Sequence, residues 1–142
     1  MKTLFIFIIS VALFGTSFTE PPIKNSATGI NFQNITFQKA LTEARQQHKM
    51  VFLNIYAVWC GPCKHLKMTT FQAPQVASLV NKKCISIDVD VEKGEGPTLA
   101  KKYQIEAHPL VLILNPEGKV IKRILGYRDA GNFMAEVAPV LN

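Results

Sequence analysis

Two cysteines, Cys60 and Cys63, stand three apart in the run Trp59-Cys60-Gly61-Pro62-Cys63, a spacing with few chemical uses. Such a pair can close a disulfide, ligate a metal or help attach a haem. Haem attachment needs histidine directly after the second cysteine, whereas Lys64 stands there and His65 comes one place late. Zinc wants four ligands. No second pair follows at proper spacing, so His48, His65 and Cys84 would have to converge by folding. No metal is expected, and no cofactor beyond a redox-active Cys60–Cys63 disulfide. A purely structural disulfide is the alternative, although so small a loop makes a weak staple because closure entropy grows with loop length.

A redox dithiol accounts for every residue type in the run. The pattern after Cys63 turns helical, which sets Cys60 at a helix N-terminus. Unpaired backbone N–H groups and the positive end of the dipole there favour the thiolate, which is the attacking species. Pro62 falls in the first helical turn, where its missing N–H costs nothing. Gly61 permits close approach by a partner chain, and Trp59 offers a flat apolar surface beside the sulfur. Cys63, one turn later, can attack a mixed disulfide at Cys60 and release the partner.

Positioning that pair takes a strand before it and a helix after it. Met50 to Ala57 is a short apolar run rich in β-formers, the pattern of a strand buried on both faces. The helix after the cysteines extends through about Phe71. Upstream, Thr36 caps a helix whose Phe37, Ala40, Leu41 and Ala44 share one face. Pro74 opens a further helix ending near Asn81, Cys84 to Val89 is a second buried strand, and Thr98 to Tyr103 is helical. Leu110 to Leu114 and Lys119 to Leu125 are strands joined by the turn Asn115-Pro116-Glu117-Gly118. Asp129 opens a last helix, whose end Pro139 distorts. Helical crossovers demand parallel pairing and the tight turn an antiparallel pair, giving a mixed sheet with helices on both faces.

The chain of 142 residues allows one domain, and its 48% hydrophobic and 18% charged residues exclude a disordered or fibrous protein. The net charge of +6 is spread along the chain, with mere pairs such as Lys82-Lys83 as its densest clusters. No basic stripe interleaved with aromatics appears, so no nucleic-acid partner is expected. Residues 1–19 follow the grammar of a secretory signal peptide. Lys2 precedes an apolar stretch from Leu4 to Phe14, then come Gly15, Thr16 and Ser17. An uncleaved N-terminal anchor is the alternative. Residues 20–35 read as an irregular lead-in to a domain over residues 36–142.

The stretches NIYAVWCGPCK, FQAPQV, SIDVDVEK, the AHP before a buried strand, and GKV…GY together resemble the thioredoxin family over about Asn34 to Asn142. The extension KHLKMTTFQAPQV is most similar to exported thioredoxin-like reductants, such as the C-terminal periplasmic domain of the membrane electron carrier DsbD. The resemblance implies a thioredoxin fold, three-layer α/β/α with a central mixed β-sheet. It implies a thiol–disulfide oxidoreductase, a reductant by its Cys-Gly-Pro-Cys loop, with catalytic Cys60 and Cys63. It also implies that Pro109 is cis and faces the active pair, beside which His108 holds a place that tunes reactivity, hydrogen-bonding or charging near Cys60. Partners would be client proteins bearing disulfides and a membrane thiol electron carrier, and the protein a periplasmic monomer. An oxidase or isomerase, or a non-catalytic binding module with a redox switch, is the competing reading.

The chain departs from the family at two places. The buried aspartate six residues before the first cysteine, which assists proton transfer at the second, is here Asn54, and an amide cannot accept a proton at neutral pH. The neighbouring lysine maps to Cys84, so the expectation is that an uncharged Asn54 and Cys84 replace an ion pair. Deprotonation of Cys63 would then use water or the leaving thiolate. Cys84 reads as a buried small hydrophobe, with a third redox thiol able to pair with Cys63 as the alternative.

Overall fold

The computed structural model describes residues 28–142, so the leader and residues 20–27 of the lead-in lie outside the described residues. The elements run α1 (Phe37–Gln47), β1 (Met50–Tyr56), α2 (Gly61–Met68), α3 (Pro74–Lys83), β2 (Cys84–Asp90), α4 (Gly96–Tyr103), β3 (Leu110–Leu114), β4 (Val120–Leu125) and α5 (Ala130–Leu141). The strands form one sheet in the order β2-β1-β3-β4. β1 and β2 are parallel, while β1–β3 and β3–β4 are antiparallel. The expected three-layer mixed architecture is present.

Alternation along β1 builds both cores at once. Val51, Leu53 and Ile55 face α1 and α4, meeting Phe37, Leu41, Leu99 and Tyr103. Phe52 faces the opposite way, into a cluster with Leu66 of α2, Val76 and Val80 of α3, and Phe133 of α5. Because side chains of a strand alternate between faces, a central strand apolar at every position needs cover on both sides. The caps follow local chemistry. The Thr36 hydroxyl accepts from Lys39 N–H at 3.2 Å, and Asp129 accepts from Asn132 N–H at 3.0 Å. That last bond, with a second from the Asn132 side chain, holds the Asp129 carboxyl below its ordinary range.

Two helix ends differ from the pattern reading. The helix after the cysteines stops at Met68, and Thr70–Gln72 forms a short 3-10 turn. The break drives Phe71 into the core, where it packs 5.6 Å from Phe52 and 5.8 Å from Phe133. Pro139, by contrast, lies inside α5 without ending it. The carbonyl it leaves without a donor, that of Ala135, sits on the exposed face of the helix, where solvent can satisfy it.

The described part of the lead-in, residues 28–35, has no helix or strand of its own but is docked. Phe32 bridges Ser86 in parallel on the outer edge of β2, with Gln33 N–H donating to the Ser86 carbonyl at 2.8 Å. Ile30 N–H donates to the Phe71 carbonyl at 2.8 Å, and the Ile30 side chain is buried.

Candidate active site

β1 delivers the chain to the site and α2 carries it away. Between them the backbone folds back tightly, Cys60 N–H donating to the Ala57 carbonyl at 3.1 Å. Cys60 is the N-cap of α2, and its Sγ accepts from Cys63 N–H at 3.1 Å. Cys60 and Cys63 are joined as a disulfide with their Cα atoms 5.3 Å apart. A sulfur placed where helix N–H groups converge is stabilised as a thiolate once the bond is reduced. Pro62 sits in the first turn, where it displaces no hydrogen bond.

The rim of the site is apolar. Trp59 is 65% exposed, so it is displayed rather than packed. Its indole N–H donates to Glu92 at 3.0 Å, which fixes the ring. Val58 and Tyr127 are also exposed nearby in the fold, Tyr127 lying against His65 with ring centres 4.7 Å apart. A Cβ built on Gly61 would meet nothing within 4 Å. Nothing inside the chain therefore demands glycine there, and its small size is offered outward.

The His108–Pro109 peptide is cis, as the resemblance implied, and the Pro109 carbonyl accepts from Gly126 N–H at 2.8 Å. His108 stands beside both sulfurs, and its nearer contact is the second cysteine: its Nδ1 lies 3.8 Å from Cys63 Sγ. Its ring stands edge-on to Trp59 with centres 5.0 Å apart. Cys60, Cys63 and His108 bring three donor atoms within 4.8 Å of one another. The two sulfurs are bonded to each other here, a redox disulfide with an attendant imidazole.

A correction concerns Asn54. Strand register sets Cys84 beside Met50 and Asp88 beside Asn54. The amide of buried Asn54 donates to Asp88 Oδ1 at 2.6 Å, and the other oxygen of Asp88 pairs with Lys67 of α2. Ionic chemistry thus persists next to Asn54, moved one strand over. Asn54, Cys63, Lys64 and Lys67 line a cavity of about 290 Å³. Burial, followed by the charge of Asp88, pushes the hydroxyl of Tyr56 on its wall upward.

Cys84 is far from this chemistry. β1 runs from Met50, its neighbour, to Tyr56, just ahead of the active turn. Six steps at about 3.3 Å separate the two ends by roughly 20 Å, well beyond the reach of a disulfide. Burial pushes its thiol up to about 12. The sequence reading missed Asp88, Lys67 and Glu92. Lys67 carried a signal, standing four residues after Cys63 on one helix face; Asp88 and Glu92 carried none without the register.

The model for the Thioredoxin-like domain matches residues 37–140. The thiol:disulfide interchange protein DsbD of Pseudomonas fluorescens is 33% identical over 121 residues, covering 80% of this chain and 21% of that protein. The chain spans about a fifth of the length of the curated relatives it matches. Among solved structures, a putative disulphide-isomerase from Bacteroides thetaiotaomicron superposes with a TM-score of 0.70 at 38% identity, over 78% of this chain and 92% of that one. The oxidised C-terminal domain of DsbD from Neisseria meningitidis gives 0.62 at 26% identity, over 80% and 99%.

Proposed function

The chain belongs to the thioredoxin-like family, with a domain like that of DsbD, and from that premise we propose that it is an exported thiol–disulfide oxidoreductase working as a reductant. The observation that carries the reading is the Cys60–Cys63 disulfide closed across the N-terminus of α2, with Cys60 as the cap. In the reduced protein the Cys60 thiolate attacks a client disulfide and forms a mixed disulfide. Exposed Trp59 and the backbone at His108–Pro109 receive the client chain. Cys63 then attacks Cys60, closing the internal disulfide and releasing the client as a dithiol. The oxidised protein needs electrons to return, and a membrane thiol carrier is the chemical class that supplies them in an oxidising compartment. The leader over residues 1–19 supports export, and the protein acts as a monomer.

The likeness to a protein titled a putative disulphide-isomerase favours one second reading, rearrangement of client disulfides. Two measurements separate them. Equilibration with glutathione gives the reduction potential; a value near −270 mV supports the reductant, and one near −120 mV an oxidant. Reactivation of scrambled ribonuclease without insulin reduction would favour the isomerase. Wild-type rates no higher than those of Cys60→Ser in both assays would leave a binding module.

A further inference from the structure

We infer that His108 is the catalytic base of the resolving step, accepting at Nδ1 the proton that Cys63 must lose before it attacks the mixed disulfide; this rests on the oxidoreductase reading above. The geometry is a contact of 3.8 Å between Nδ1 and Cys63 Sγ, made by a half-buried imidazole held edge-on to Trp59. Opening the S–S bond frees Cys63 Sγ to turn its hydrogen toward that nitrogen, and catalytic hydrogen bonds commonly tighten only in the reacting complex.

No other group around Cys63 can take the proton as readily. Asn54 offers an amide. Asp88 is already engaged by Asn54 on one oxygen and Lys67 on the other. Glu92 is held by the Trp59 indole, and Glu106, on the same segment as His108, is exposed. Lys64 and Lys67, which line the cavity with Cys63, are cations. Imidazole is the side chain whose ordinary titration falls in the working pH range.

The step balances without an outside reactant. With hydrogen on Nε2, Nδ1 takes the Cys63 proton and becomes part of an imidazolium. The Cys63 thiolate attacks Cys60 Sγ, the Cys60–client S–S bond breaks as the Cys60–Cys63 bond forms, and the client leaves as a thiolate that recovers the proton from the imidazolium. Cys60 and Cys63 are oxidised, and the client disulfide is reduced.

The test follows the reduced protein mixed with glutathione disulfide, quenched in acid at intervals and resolved by mass into reduced, glutathionylated and oxidised forms. His108→Ala and His108→Gln should let the glutathionylated form accumulate, slowing its decay by about 100-fold or more near pH 7 and its formation much less. In the wild type the decay rate should rise through the imidazole range. In the variants that rise should move to the thiol range, so the rates converge at high pH, and added imidazole should restore part of the loss in His108→Ala. Decay unchanged in both variants, or formation and decay slowed equally, would overturn the inference while leaving the oxidoreductase reading intact. Failure of the wild type to form any adduct at Cys60 would instead sink that reading. Should neither variant fold, the wild-type profile decides, and the absence of a rise in the imidazole range overturns the inference.

Discussion

Cys63 and Cys84 are exposed to nearly the same small extent, 6% and 4%, but they lie in separate buried clusters, and only one is equipped to react. Cys63 follows a helix cap and faces an imidazole nitrogen. Cys84 opens β2 at the far end of the sheet, where the nearest opposing influence on its thiol is Lys49 and burial outweighs it. Accessibility therefore does not sort the cysteines of this protein. What sorts them is whether the fold aims donors and bases at the sulfur, and the C-terminal end of β1 is where it does so.

Replacing Cys60 by Ser should break the comparison most completely, returning insulin reduction by dithiothreitol to its uncatalysed rate, whereas Cys84→Ala should stay within about twofold of the wild type. Equal losses in a turbidity assay would place Cys84 in the chemistry. Next in size is Cys63→Ala, which should hold clients on Cys60 for minutes to hours, the timescale of uncatalysed exchange. Non-reducing gels show such adducts. Their turnover at the wild-type rate would mean that Cys84 or another thiol resolves them.

The neighbourhood of Asn54 sharpens the comparison from the side of stability. Asn54→Asp would set a second carboxyl against Asp88, at a cost on the order of 2 kcal/mol near neutral pH. One carboxyl of such a pair takes a raised pKa, so the deficit should grow as pH rises through it and shrink below. Urea melts at pH 5 and pH 8 measure this, and Asp88→Asn in the same chain should recover much of the loss. A full recovery from Cys84→Lys instead would contradict the register.

A smaller effect belongs to Cys84 itself. Its folded pKa of about 12 exceeds the ordinary 9.0, so the unfolded chain loses the proton first. The neutral buried thiol therefore contributes its full stability below pH 9, and that contribution falls as pH climbs through the interval. The wild type should lose stability faster than Cys84→Ala there, by up to ~1 kcal/mol per pH unit, although the variant starts lower at neutral pH because of its cavity. Parallel curves from denaturant melts would show that the thiol ionises as freely folded as unfolded. Least of all, Thr36→Ala removes the cap of α1, which touches neither cysteine of the pair, and should cost about 1 kcal/mol in the same melts with no change in exchange rate.

Much of this was legible in the sequence because it is local. The strand–turn–helix around Trp59-Cys60-Gly61-Pro62-Cys63, the cap at Thr36 and the turn at Asn115–Gly118 are each written in adjacent residues. The break after Met68 was not, since it exists to insert Phe71 between Phe52 and Phe133, residues distant in the chain. Pairing of Asn54 with Asp88 rather than with Cys84 follows from the parallel register of β1 and β2, and a shift of a few residues leaves the hydrophobic pattern of CISIDVD equally satisfied. The place of His108 beside the pair was legible in the AHP stretch; only its nearer approach to Cys63 than to Cys60 depends on how the segment before β3 crosses the end of the sheet.

The docked lead-in has a consequence for how copies of this protein meet. A sheet's outer strands carry unpaired N–H and C=O groups that invite pairing with another chain. On one side β4 is guarded by charge, alternating exposed residues with inward ones and carrying Lys122 and Arg123. β2, on the other side, carries no charge over Ile85, Ser86 and Ile87; the two isoleucines face the core under α1, and the edge backbone at Ser86 is paired with the lead-in. Removing the bridge at Phe32 and the bond from Gln33 would leave the Ser86 backbone unpaired on that edge, an open template for another chain.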